Sequence, residues 1–148
     1  MKRILRIFSI SAMLFSGVYS QAINPTEWTT YYESDEITIT FTYLNCEYQE
    51  QFNQEYLILR IQNKSTNDIT IDWQEQLWYD NKCMNCEHNS PEFRKEIIVK
   101  AGTTIRGDCT TYNNLRIFSK FTEKLEDMPG VDKINTLTQF ELKNVNIK

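Results

Sequence analysis

A period of two runs through most of this chain, and it restricts the fold more than any other feature. In Ile37–Leu44, ITITFTYL, Ile37, Ile39, Phe41 and Tyr43 fall on one face and Thr38, Thr40 and Thr42 on the other. Tyr56–Asn63 repeats the pattern, with Leu57, Leu59 and Ile61 opposed to Arg60 and Gln62. Ile69–Tyr79 then carries Ile69, Ile71, Trp73, Leu77 and Tyr79 in one phase, interrupted only by Glu75. Successive side chains of a strand point to opposite faces, so these segments are strands with one face turned to a core; a helix needs apolar spacings of three and four. The stretch Asn63–Asp68 between the second and third has no apolar residue, and its Asn, Asp and Ser side chains can bond their own backbone. That predicts a β-hairpin with an exposed turn and with Trp73 buried.

The rest of the chain extends the pattern. Ile23–Asp35 is a polar and aromatic lead-in with room for a short edge strand. Phe93–Lys100 and Thr103–Cys109, joined by Ala101-Gly102, read as a second hairpin, and Leu115–Phe121 as a further strand. Thr122–Asn135 reads as a surface loop in which Glu123, Lys124 and Glu126 could make one helical turn before Pro129-Gly130 stops it. Thr136–Lys148 alternates but slips phase between Leu142 and Val145, which a β-bulge near Lys143 or Asn144 would restore. About seven strands with turn signals between them and almost no helix predict an all-β protein, an immunoglobulin-like antiparallel β-sandwich, with a small closed barrel as the other candidate. The threonine faces suggest a sheet with one solvated side.

Residues 1–22 have Lys2, Arg3 and Arg6 ahead of an apolar run and a Ser20-Gln21-Ala22 exit, the layout of a secretory signal peptide. Residues 23–148 then form a single domain, secreted or periplasmic, with no second apolar stretch to insert in a membrane. The formal net charge is −4, and losing the three leader cations leaves −7. Such a balance, without a Lys/Arg cluster after position 22, argues against nucleic-acid binding, which needs phosphates neutralised.

Four cysteines, Cys46, Cys83, Cys86 and Cys109, are an even number in an exported chain and suggest two disulfides; three pairings are open. If all four gather at one end of the sandwich, the bridges could tie the Asn81–Glu92 loop, NKCMNCEHNSPE, to its neighbours. Two other uses of Cys83-Met-Asn-Cys86 compete. The spacing is that of a zinc knuckle, with His88 beside it and Cys46 or Cys109 to complete a set, but the second paired-ligand segment is missing. Dithiol exchange is the other, yet redox C-x-x-C pairs open a helix, and no helical period follows Cys86.

The strings YLILRIQNKS, ITIDWQEQLWY, NKCMNC, IRGDC and LTQFELKNVNIK together resemble a group of uncharacterised small secreted bacterial proteins. The resemblance implies an exported β-sandwich and carries no active residues with it.

Catalysis finds little support. His88 is the only histidine, and the carboxylates Glu33, Asp35, Glu36 and Glu123, Glu126, Asp127 cluster in polar segments where solvated charge is the ordinary role. No cofactor or metal is expected. Asn63-Lys64-Ser65 matches the glycosylation sequon. Eight tyrosines and three tryptophans exceed what one small core needs, so Trp28, Tyr31, Tyr32, Trp78 and Tyr79 are candidates for a stacking platform. The reading is a non-enzymatic exported interaction or structural module whose partner is a protein or a glycan. Carbohydrate binding through the aromatics is the alternative, followed by thiol-redox or metal chemistry at Cys83 and Cys86.

Overall fold

The structure, a computed structural model, describes residues 27–88, 90–111 and 114–148. The leader expected over residues 1–22 lies outside them. The described residues form nine strands: β1 (Thr29–Glu33), β2 (Ile37–Cys46), β3 (Gln54–Asn63), β4 (Ile69–Tyr79), β5 (Lys82–Cys83), β6 (Arg94–Val99), β7 (Thr104–Arg106), β8 (Arg116–Phe121) and β9 (Leu137–Ile147). Seven coincide with expected strands, β1 is the short edge strand the lead-in had room for, and the two-residue β5 is the addition. All pairings are antiparallel. One sheet runs β1-β2-β3 with β7 and β8 beside β3, and the other has β4 at its centre, flanked by β5, β6 and β9. The two pack face to face as an all-β sandwich, the two-layer architecture that immunoglobulin-like domains share.

The core is the set of inward residues that the period of two picks out. Ile37 and Ile39 of β2 and Leu57, Leu59 and Ile61 of β3 meet Ile69, Ile71, Trp73 and Leu77 of β4, with Val99, Ile117 and Leu142 closing the sides. Trp73 is 1% exposed. The phase slip in β9 is resolved as expected. Asp72 pairs with Asn146 but Gln74 with Lys143, and Asn144 takes the extra step at φ 54°, a left-handed conformation that asparagine tolerates.

Neither expected hairpin forms. β3 and β4 lie in different sheets, and so do β6 and β7. Residues 63–68 and 100–103 are two side-by-side crossings of the roughly 10 Å between layers. The crossings bond to each other: the Asn63 N–H donates to Thr103 O at 2.9 Å and the Gly102 N–H to Ser65 O at 3.1 Å. The Asp68 side chain accepts from Lys100 Nζ at 2.7 Å and from the Ala101 N–H at 2.9 Å. Asn63 itself is buried, not exposed with the rest of its turn. Its Nδ2 donates to the carbonyls of Asn67, Val99 and Lys100, which uses the sequon asparagine as an internal clamp. Alternation names the buried face of a strand but not its neighbour, so facing strands and paired strands look alike in sequence.

The threonine face of β2 is also covered. Thr40 and Thr42 are buried; over Thr40, Arg60 Nε bonds its Oγ1 at 3.0 Å and the Arg60 guanidinium lies 4.3 Å over the Trp28 ring. The lead-in thus acts as a lid on the outer face of its sheet.

β7 and β8 are two halves of one edge strand along β3. Arg60–Gln62 pair with β7, Gln54–Ile58 pair with β8, and Leu59 between them donates to Leu115 O at 2.8 Å and accepts from the Gly107 N–H at 3.1 Å. One residue therefore holds both ends of an excursion, pinching Gly107 against Leu115. A Cβ on Gly107 would sit 2.3 Å from the Leu115 carbonyl oxygen, so only glycine fits.

Two stability outcomes follow. Gly107→Ala should lower unfolding free energy by about 1 to 3 kcal/mol, the usual range for a forced backbone overlap. Trp73→Ala should cost about 3 to 5 kcal/mol. Urea denaturation measures both, and a loss below about 1 kcal/mol for either, outside the ranges just given, contradicts the corresponding packing.

Candidate functional site

The edge of β4 is built in the same way as that of β3. β6 pairs with Ile69–Gln74 and β5 with Trp78–Tyr79, and the chain leaves the sheet between them. The gap over residues 75–77 is not left open. The Met84 N–H donates to Leu77 O at 2.9 Å. The Asn85 side chain supplies the rest: its Oδ1 accepts from the Leu77 N–H at 3.0 Å and its Nδ2 donates to Glu75 O at 2.8 Å. An amide side chain thus takes the place of a strand's peptide group, and Asn85 is buried as a result.

The disulfides divide accordingly. Cys46 bonds Cys109 across a separation of 63 residues, tying β2 to the excursion between β7 and β8, while Cys83 bonds Cys86 across a separation of 3. The second ring closes the turn that presents Asn85. Of the three possible pairings the chain uses the one in which no bridge leaves the Asn81–Glu92 loop, so the expectation that disulfides tie that loop to its neighbours is corrected. Asn85 anchors it instead. Sulfurs bonded to each other are not thiolate ligands, and among the described residues no three His, Cys, Asp or Glu side chains converge as a metal site.

An open groove of about 710 Å³ runs beside this turn, between the end of β4 and β8. Its apolar surface comes from Tyr79, Phe118, Met84 and the Cys83 side chain, and Lys82 and Lys133 stand at its margin. Tyr79 is fixed by its hydroxyl, which donates to Phe118 O at 2.6 Å. Lys133 is drawn to Asp80 at 2.6 Å, which together with the Thr136 N–H holds the Asp80 carboxyl below its usual pKa, the Lys133 bond being the larger cause. Lys82 makes no ion pair among the described residues. Met84 is 54% exposed, a large apolar side chain held in solvent by its neighbours in the disulfide ring.

Behind Tyr79 lies Glu75, the one residue that breaks the apolar phase of β4. It is 4% exposed. Burial disfavours its charge and raises its pKa to about 7; the Lys95 ammonium, 4.0 Å from Oε2, and then the nearby Trp73 indole oppose that push. Neither Glu75 Oε1 nor Trp73 Nε1 makes a hydrogen bond of good geometry among the described residues. Burial, and after it the Glu75 charge, pushes the Tyr79 hydroxyl up to about 12.

The five aromatic candidates do not share one surface. Trp28 lies under Arg60 on the outer face of its sheet. Tyr31 turns between the layers, stacking on Phe140 with centroids 5.1 Å apart and accepting from the Leu142 N–H at 2.8 Å. Tyr32 is exposed on β1. Trp78 is half-buried, pointing away from the face shared by Leu77 and Tyr79, and Tyr79 alone lines the groove. Lys82, Met84 and Asn85 come from the loop singled out in the sequence, though not by residue, while Phe118 and Lys133 belong to the site although no sequence signal marked them. The cysteine pair of the Asn81–Glu92 loop, Tyr79 and the break in phase at Glu75 were the visible clues to this end of the molecule.

Two cystines suit an oxidising, extracellular type of environment, and no helix among the described residues is long and apolar enough to cross a membrane. Compared with family models, curated proteins and solved structures, the chain matches none.

Glu75 generates a pH dependence. Its folded pKa lies above the unfolded value near 4.5, so the native state holds the extra proton between about pH 4.5 and 7, and stability falls as pH rises through that window. The ceiling is about 3 kcal/mol. Glu75→Gln removes the term: relative to wild type, the variant should gain about 2 to 3 kcal/mol on going from pH 5 to pH 8 in urea denaturation. An unchanged difference between the two proteins across that range contradicts the burial of a titrating carboxyl.

Proposed function

We propose that the chain is an exported, non-enzymatic interaction module, akin to the small secreted bacterial proteins it resembles, that takes a segment of a protein partner in the groove beside Cys83–Cys86. The observation that carries this reading is the groove's make-up. An apolar strip of Tyr79, Phe118 and Met84 is bordered by Lys82 and by the Lys133–Asp80 ion pair, on a chain whose net charge is negative. A groove of this size class accepts side chains and not only water, and Lys82, with no ion pair among the described residues, favours an acidic residue next to the apolar ones. An extended peptide with one large apolar side chain flanked by Asp or Glu meets both requirements. The leader pattern and the two cystines support export.

Selection from a random peptide library on the wild-type protein tests the reading. Selected peptides should carry the apolar-acidic pattern, and Met84→Asp or Lys82→Glu, both at exposed positions, should weaken them about tenfold, or about 1.4 kcal/mol. Peptides that bind both variants as well as wild type would place the contact elsewhere.

A further inference from the structure

We propose that Cys83–Cys86 is an exchangeable disulfide: a dithiol opens it in the folded protein while Cys46–Cys109 stays closed, and opening releases Asn85 from the edge of β4 together with the Met84 wall of the groove. Three observations meet here. The first is access. Cys86 is exposed and Cys83 half-buried, whereas neither sulfur of the other bond belongs to an exposed residue: Cys46 is 1% exposed and Cys109 half-buried.

The second is the difference in what each bond holds. Bridging residues 63 apart removes far more freedom from the unfolded chain than bridging residues 3 apart, a ratio of roughly fifty-fold or more in the chain-entropy model. By linkage, opening the long-range bond costs the fold that factor more in stability than opening the short-range one, so Cys83–Cys86 is the bond the chain can lose while it stays folded.

The third is the attachment of the turn. Between Cys83 and Cys86 the chain bonds β4 only through the Met84 N–H and the Asn85 side chain. The ring keeps both aimed at the gap in the edge. Without it, Leu77 and Glu75 face a flexible loop, and water competes for the same backbone groups.

The step balances as ordinary exchange. A thiolate of the dithiol attacks the exposed Cys86 sulfur, Cys83 leaves as thiolate, and the second thiol of the reagent resolves the mixed disulfide. Two electrons pass from the dithiol to the cystine, and the two protons released by the reagent end on Cys83 and Cys86. No helix N-terminus lies beside either sulfur to stabilise a thiolate, so the pair is the substrate of exchange and not its catalyst.

Natively purified protein treated with stepped dithiothreitol, blocked with iodoacetamide under native conditions and mapped by mass spectrometry tests this. Cys83 and Cys86 should be labelled at reductant concentrations at least about tenfold below those that label Cys46 and Cys109. Hydrogen exchange on the selectively reduced protein should show the Leu77 and Met84 amides losing protection while the Leu59 amide, bonded to Leu115 O, keeps it. The double variant C83S/C86S should reproduce that exchange pattern without reductant. Labelling of all four cysteines together, or of none before unfolding, overturns the proposal. So does selective labelling with Leu77 protection unchanged, or failure of the double variant to fold, which would make the bond structural. None of these measurements involves a groove ligand, so they stand or fall separately from the peptide reading.

Discussion

The burial of the inner face of β3 against that of β4 is the contact on which the rest of the molecule depends. Leu57, Leu59 and Ile61 on one side and Ile69, Ile71 and Trp73 on the other are almost wholly withdrawn from water, each contributing on the order of 2 kcal/mol of transfer free energy. Because these strands face each other and do not pair, each is free to take a neighbour on both of its edges. Every other strand except β1 pairs with β3 or β4. The layers are joined where the chain crosses, and there Asn63 and Asp68 bind the two crossings into one corner.

A sandwich with open edges must dispose of unpaired backbone groups. Here side chains do much of this. The Asn85 amide completes the β4 edge, the Tyr79 hydroxyl bonds the carbonyl of Phe118, Asn114 donates to Glu96 O at 3.1 Å, and the Leu142 N–H of β9 donates to Tyr31. Each bond couples an edge to a neighbouring segment. The groove is a by-product of this arrangement: the chain leaves the β4 edge after β5, returns at β6, and the turn it makes raises Met84 over Tyr79 and Phe118. A carboxyl buried just behind, in Glu75, gives this end of the sandwich a sensitivity to pH that an apolar residue in the same phase would not.

Each of the two disulfides holds an excursion of the chain from a sheet edge, but they do different work. Cys46–Cys109 joins segments distant in sequence and restrains a loop that covers the outer face of its sheet, where Gly107 approaches Ile58. Cys83–Cys86 restrains only its own turn, and matters through the amide that turn carries. The even count of cysteines was plain in the sequence; this division was not, because loop length is legible there only once the pairing is known.

The sequence by itself determined most of the strands, much of their buried faces with Trp73 among them, the bulge in β9 near Asn144 and the sandwich class, because a pleated strand writes its two faces into alternate residues. In β2 it misplaced Tyr43, which is 39% exposed, and the threonines Thr40 and Thr42, which are buried. Only the tertiary structure decided which strands are neighbours. It turned two apparent hairpins into crossings, buried a turn asparagine, joined β7 to β8 and β5 to β6 as interrupted edge strands, and brought Tyr79, Phe118 and Lys133 to one groove. The physical reason is that alternation records exposure, a property of each strand alone. Pairing, a gap filled by Asn85 and a groove between β4 and β8 are properties of residues far apart in the chain, and no local pattern encodes them.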